Sequence, residues 1–166
     1  MTAAPPDGPM LRESFGHFPS GIVAVCATAR AGPVGMAVST FTPVSLDPPL
    51  VGICVRRSSR TWPVLRGRPR LGLTVLAEVH GAAARRLAAR DGDRFADLEY
   101  RTLDTGAIRV DDGPVFFECA LETEHPAGDH TLAVLRVHRV ETEGTSRPLV
   151  FHRSGFGRLM SGGLHV

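Results

Sequence analysis

Residues 35–50 read GMAVSTFTPVSLDPPL, an apolar run that carries Ser39, Thr40, Thr42 and Ser45 and stops on Asp47-Pro48-Pro49. A hydroxyl buried without a partner costs about 1–3 kcal/mol by mutational measure. Four of them in one short segment need partners in the backbone, in water or in a ligand. On the N-terminal side, GIVAVCATA (21–29) is rich in β-branched and small apolar residues and reads as a buried strand. ARAGPVG supplies a turn, so GMAVSTF (35–41) returns as the second arm of a hairpin. On the C-terminal side, LVGICV (50–55) makes a third strand, and the Asp-Pro-Pro run before it forbids continued ladder pairing.

The same periodicities extend over the rest of the chain. Met10 to Phe18 reads as a short helix broken by Pro19, TWPVLRG as a short helix or turn, and LGLTVLA (71–77) as a fourth strand. VHGAAARRLAAR (79–90) has the strongest helical propensity, with Leu87 on its apolar side. FFECALETEH (116–125) and HTLAVLRVHRVETE (130–143) alternate as half-buried strands do, and PLVFHR (148–153) is a last short one. Strands dominate, their connections are short, and one good helix intervenes. The expectation is a mainly β closed antiparallel barrel with a few short helices. Residues 1–9 read as a disordered lead-in, 10–160 as one domain and 161–166 as a tail.

Composition narrows the function classes. At 166 residues, with 43% hydrophobic and 22% charged residues, the chain is expected to be a single soluble globular domain. A net charge of +2 tolerates anionic ligands but is too weak to indicate nucleic acid. No apolar run approaches the roughly 20 residues that cross a bilayer, and the first ten residues lack a signal-peptide pattern, so the expected location is the cytoplasm. Cys26, Cys54 and Cys119 are widely spaced in apolar surroundings with no CxxC, as buried free thiols are. All nineteen basic residues are Arg, which excludes Schiff-base and P-loop lysines. Asn and Gln are absent too, so a polar ligand must be read by backbone amides, hydroxyls, Arg, His or carboxylates.

Three short stretches carry candidate chemistry. RRSSRTW (56–62) sets three Arg, two Ser and a Thr directly after a strand. Guanidinium forks and hydroxyls suit phosphate oxygens, although Ser59 or Thr61 would equally cap a following helix. AGDHT (127–131) ends in an Asp-His pair at a strand start, where His130 would either orient a ligand or finish a turn closed by Asp129. DGDRF (91–95) is a compact charge cluster whose default role is a structural salt bridge. The seven His show no HxH or HExxH spacing, so no metal is expected.

Taken in order, FGHFPSGIVAVCA, GMAVSTFTPVSLDPPLVGICV, RRSSRTW, DRF, FFEC, GDHT and PLVFHRSGF resemble the flavin reductase-like family, from about Met10 to Met160. That family includes the reductase components of two-component flavin monooxygenases. The resemblance implies an FMN-binding split barrel, antiparallel and six-stranded, working as a homodimer. It implies FMN or FAD, bound or exchanging, lying over Met36, Ala37, Val38, Ser39, Thr40 and Phe41, with its phosphate near Ser58, Ser59, Arg60 and Thr61. Ser39 and Thr40 would then find their partners in the ligand. Ser45, Cys54 and Val55 are further cofactor-binding positions on this resemblance. Thr74 and His80 join them at the ring edge, where many relatives carry Asn and Gln, a departure that points to a loosely held flavin.

The activity implied is hydride transfer from C4 of NAD(P)H to N5 of the flavin, with reduced flavin passed to an oxygenase partner. His130 is the candidate on the nicotinamide side, with Phe156 covering it. Two alternatives share the barrel: a non-catalytic flavin- or haem-binding protein, and an FMN oxidoreductase acting on its own organic substrate.

Overall fold

The structure is a computed structural model that describes residues 7–143 and 146–159. Most of the expected lead-in and the whole expected tail lie outside the described residues. Residues 7–9 of that lead-in instead open a helix, α1 (Gly8–Gly16), because the Asp7 carboxylate accepts the Met10 amide at 2.9 Å. Asp caps a helix well, and Pro9 fits the first turn, where its missing N–H has no role.

Strands β1 (Ser20–Gly21), β2 (Val23–Ala29), β3 (Gly32–Val38), β4 (Thr42–Leu46) and β5 (Pro49–Arg56) follow. Then come the short α2 (Trp62–Leu65), β6 (Leu71–Val75), a tight turn over Glu78–His80, and α3 (Gly81–Ala88). The remaining strands are β7 (Tyr100–Thr102), β8 (Ile108–Val110), β9 (Val115–Ala127), β10 (His130–Thr142), β11 (Val150–His152) and β12 (Gly155–Gly157). The main antiparallel sheet has seven strands in the order β3-β2-β6-β9-β10-β5-β4, where six are expected. The extra count comes from the opening stretch. Residues 35–41 are not one strand: β3 ends at Val38, the chain crosses at 39–41, and β4 begins at Thr42. Three short strands also went unforeseen, β7, β8 and β12, each only three residues long.

That crossing closes the barrel. β3 and β4 are the two edges of the sheet, yet only residues 39–41 separate them along the chain. Three residues span at most about 11 Å. The sheet must therefore curl until its edges meet. A threonine fastens the meeting point: the Thr40 hydroxyl accepts from the Cys54 amide at 2.9 Å and donates to the Cys54 carbonyl at 3.0 Å.

β2 explains why its sequence is a continuous apolar run. Val23, Val25 and Ala27 face the barrel interior with Ile53, Leu71, Leu73 and Leu135. Ala24 and Cys26 face a second core beneath α3, with Leu76, Ala84, Leu87, Ile108 and Val110. A strand buried on both faces has no polar side to alternate with. Burial pushes the thiols of Cys26 and Cys119 up to about 12, so neither is ionised near neutral pH. Among the described residues no helix is long and apolar enough to cross a membrane.

Candidate functional site

An open cleft of about 870 Å³ lies along the seam, between β3, the end of β5, the loop before α2 and the end of α3. It is within the size range of small-molecule sites. Met36, Ala37, Val38, Ser39 and Thr40 form one side, and Cys54, Val55, Arg56, Ser58, Ser59, Arg60 and Thr61 continue around it. Leu87 to Asp91, Arg94 and His130 complete the lining. Twelve of the residues singled out in the sequence are thus gathered from three separated segments.

The side at residues 36–40 owes its character to topology. β3 pairs with β2 only, so its other row of amides and carbonyls has no ladder partner. Such a row is a ready set of donors and acceptors in a chain that has neither Asn nor Gln. Met36, Val38 and Val55 are buried around it and supply apolar surface.

The loop after β5 is anchored by bonds within the chain itself. The Arg57 amide donates to the Asp129 carbonyl at 3.0 Å, tying the loop to the β9–β10 turn. The Ser59 hydroxyl accepts the amides of Thr61 at 3.3 Å and Trp62 at 3.1 Å, so it caps α2. Both roles weighed for this loop therefore fall on different atoms: Ser59 caps, while Ser58 and the guanidiniums face the cleft.

Arg94 is the residue that sequence reasoning missed. Within DGDRF a salt bridge is the default, but Arg94 donates to the Gly35 carbonyl at 3.0 Å and to the Thr61 hydroxyl at 2.5 Å. It ties the start of the seam to the loop across the cleft. Only its place beside Asp93 in a compact charge cluster signalled it, and such a signal does not reveal a backbone partner far along the chain. Arg60 reaches in another direction, to the Arg90 carbonyl at 3.0 Å and the Asp91 carboxylate at 3.1 Å. Four arginines (56, 60, 90 and 94) and one aspartate line the cleft, so its local charge exceeds the +2 of the whole chain.

His130 stands at the head of β10, opposite Arg56 in the ladder. Its Nδ1 lies 2.7 Å from the Asp129 carboxylate. That bond holds the Asp129 carboxyl below the usual range. A carboxylate only accepts, so the hydrogen sits on Nδ1 and Nε2 is the nitrogen left for a ligand.

Four expected residues lie elsewhere. Ser45 is on β4, paired with Leu50. Thr74 is fully buried, and its hydroxyl accepts the Val110 amide at 3.1 Å, which fixes β8 on β6. His80 is buried too, its Nδ1 accepting the Ala77 amide at 2.9 Å. Phe156 lines a smaller crevice behind α3 with Phe151 and Arg85, whose guanidinium sits 4.7 Å from the ring centre. Thr40 lines the cleft, but both its hydroxyl bonds go to Cys54, so its partner is backbone rather than ligand.

The match to known proteins follows this geometry. The model of the flavin reductase like domain aligns with residues 15–160, which hold the seam, the loop after β5 and the GDH turn. The chain belongs to the flavin reductase like domain family. A flavin reductase of Pseudomonas putida is 34% identical over 152 residues, covering 91% of this chain and 89% of its own length. The reductase subunit of a flavin-dependent monooxygenase from Rhodococcus jostii is 31% identical over 145 residues, 87% of this chain and 74% of the relative. Among solved structures, the NADH:FAD oxidoreductase of Streptomyces globisporus, in complex with NAD and FAD fragments, superposes with a TM-score of 0.89 at 30% identity. The superposition covers 97% of this chain and 98% of that one. Membership in the flavin reductase like domain family accounts for the split barrel, whose seam holds the cleft.

Proposed function

We propose that the protein is an NAD(P)H-dependent flavin reductase that supplies reduced FMN or FAD to a partner monooxygenase. The observation that carries this reading is the cleft itself: unladdered β3 amides on one side, guanidiniums and hydroxyls on the other, in a chain of this family. The lining fits a flavin nucleotide by its chemistry. Arg56, Arg60, Arg90 and Ser58 suit a phosphate, the free edge of β3 suits the carbonyls and N–H of a ring edge, and Met36, Val38 and Val55 suit a flat apolar face. When bound, the isoalloxazine supplies the redox chemistry, taking up hydride from the nicotinamide. The chain's own residues position both rings and exclude water from between them. Arg94 stabilises the wall on which they rest, and His130, oriented by Asp129, offers Nε2 on the nicotinamide side.

The working unit in this reading is a homodimer. α1 buries none of its residues, and Met10, Phe15 and Phe18 are 59%, 69% and 77% exposed. Three large apolar side chains exposed within nine consecutive residues are costly in water and suit a subunit contact. Light scattering at micromolar concentration is expected to give about twice the 17.8 kDa monomer mass.

Aerobic oxidation of NADH and NADPH, run with no flavin, riboflavin, FMN and FAD in turn, tests the activity. Turnover that depends on added flavin is the expected result. A protein that binds flavin yet oxidises neither nucleotide would instead be a passive binder.

A further inference from the structure

Among the guanidiniums of the cleft, Arg60 alone is held by a carboxylate of the lining, Asp91 at 3.1 Å. The two side chains are 71% and 86% exposed, and a second bond from Arg60 reaches the Arg90 carbonyl at 3.0 Å. Arg94 is spent on Gly35 and Thr61, while Arg56 and Arg90 show no ion-pair partner among the described residues. A carboxylate and a phosphate oxygen compete for the same guanidinium fork. Asp91 is therefore the single anionic group in a basic cleft, and it sits on an arginine suited to phosphate.

We propose that Asp91 is a resident competitor for the phosphate of the flavin nucleotide: it pairs with Arg60, and a bound phosphate must take its place. The inference rests on the flavin reductase reading and deepens it. An internal competitor weakens FMN and FAD while leaving contacts to the ring untouched. That suits a ligand that must leave after each turnover and would be a defect in a permanently bound one. It also gives Asp91 a role in selectivity, since riboflavin carries no phosphate and meets no competition. Because the pair is exposed, the effect is modest and screened by salt.

Titration of wild type and Asp91→Asn with FMN and riboflavin, followed by flavin fluorescence, tests this. Asp91→Asn should tighten FMN about two- to fivefold at low salt and leave riboflavin unchanged. The gain should shrink at about 0.5 M salt, where the Debye length falls to a few ångströms. Asp91→Glu, which keeps the charge, should bind FMN within about twofold of wild type. With Arg60→Ala in the background, the gain from Asp91→Asn should disappear. FMN affinity that is unchanged or weakened by Asp91→Asn would overturn the inference alone, as would equal tightening of both flavins or a gain that survives Arg60→Ala. Wild-type protein that binds neither flavin would overturn the functional reading and this inference together.

Discussion

The seam cleft and the buried region around residues 72–80 contain the same kinds of polar residue and put them to opposite uses. Each has a threonine hydroxyl bonded to the backbone of another strand: Thr40 on Cys54 and Thr74 on Val110. Each has a histidine bonded through Nδ1, His130 to a carboxylate and His80 to a backbone amide. The buried groups bond within the core, whereas His130, Arg56 and Ser58 line the open cleft. The difference is one of available partners rather than residue type. A polar group becomes a ligand contact only where the fold leaves it both exposed and unspent.

The largest expected effect would break the buried region outright. A side chain at Gly72 would run into the backbone carbonyl of Ile108, which cannot yield as a side chain would. Gly72→Ala should destabilise the fold by about 3 kcal/mol or more, read by urea denaturation. A loss below about 1 kcal/mol would mean that β8 does not lie so close.

The paired threonines sharpen the comparison. Thr74→Val leaves the buried Val110 amide without an acceptor and should cost about 1–3 kcal/mol, with ligand affinity per folded molecule unchanged. Thr40→Val should cost less than about 1 kcal/mol, because water can reach the exposed Cys54 groups it releases. Equal costs at the two positions would erase the distinction between them.

Next in size is His130. His130→Ala should raise the KM for the nicotinamide nucleotide about fivefold, the equivalent of one ordinary hydrogen bond, while the melting temperature stays near wild type. Stopped-flow reduction of preloaded flavin, read beside a thermal melt, separates the outcomes. A lowered melting temperature with unchanged kinetics would return His130 to a turn-finishing role.

The smallest effect comes from a proton. Burial lowers the His80 pKa below 6.5, partly opposed by the nearby Asp112 charge and a bond to the Asp111 backbone. The unfolded chain therefore binds this proton more readily than the folded one. The contribution of neutral His80 is complete above pH 6.5 and is lost as pH falls toward the folded pKa. Stability should decline with acidification in that window, and His80→Gln should flatten the decline. A decline that persists unchanged in that variant would assign it to other groups.

The outcome at each site follows from how far along the chain the deciding partner lies. The strand content, the 79–90 helix and the apolar β2 run were legible because they depend on neighbours within a few residues. The RRSSRT and GDH stretches were legible as chemistry for the same reason, and their cap and turn roles came with them. Thr74 lies away from the cleft because its partner, Val110, thirty-six positions on, becomes a neighbour only after the sheet forms. His80, by contrast, bonds the nearby Ala77 amide and is set apart by its burial in the folded chain. Arg94 went unassigned because Gly35 lies fifty-nine positions away.

By itself, the sequence determined that this chain is a β-rich barrel without lysine, asparagine or glutamine, with arginine and hydroxyl groups grouped after its third long strand. Residue type and spacing are local quantities, so local inspection recovers them. Only the tertiary structure decided which polar groups are spent and which stay open. Barrel closure at 39–41 brings Thr40 onto Cys54, and the placement of α3 and the segment after it brings Arg94 onto Gly35 and Asp91 onto Arg60. Those pairings are set by the curl of the sheet and the packing of α3, and hydrogen bonding lets each donor be satisfied by whichever acceptor the fold delivers.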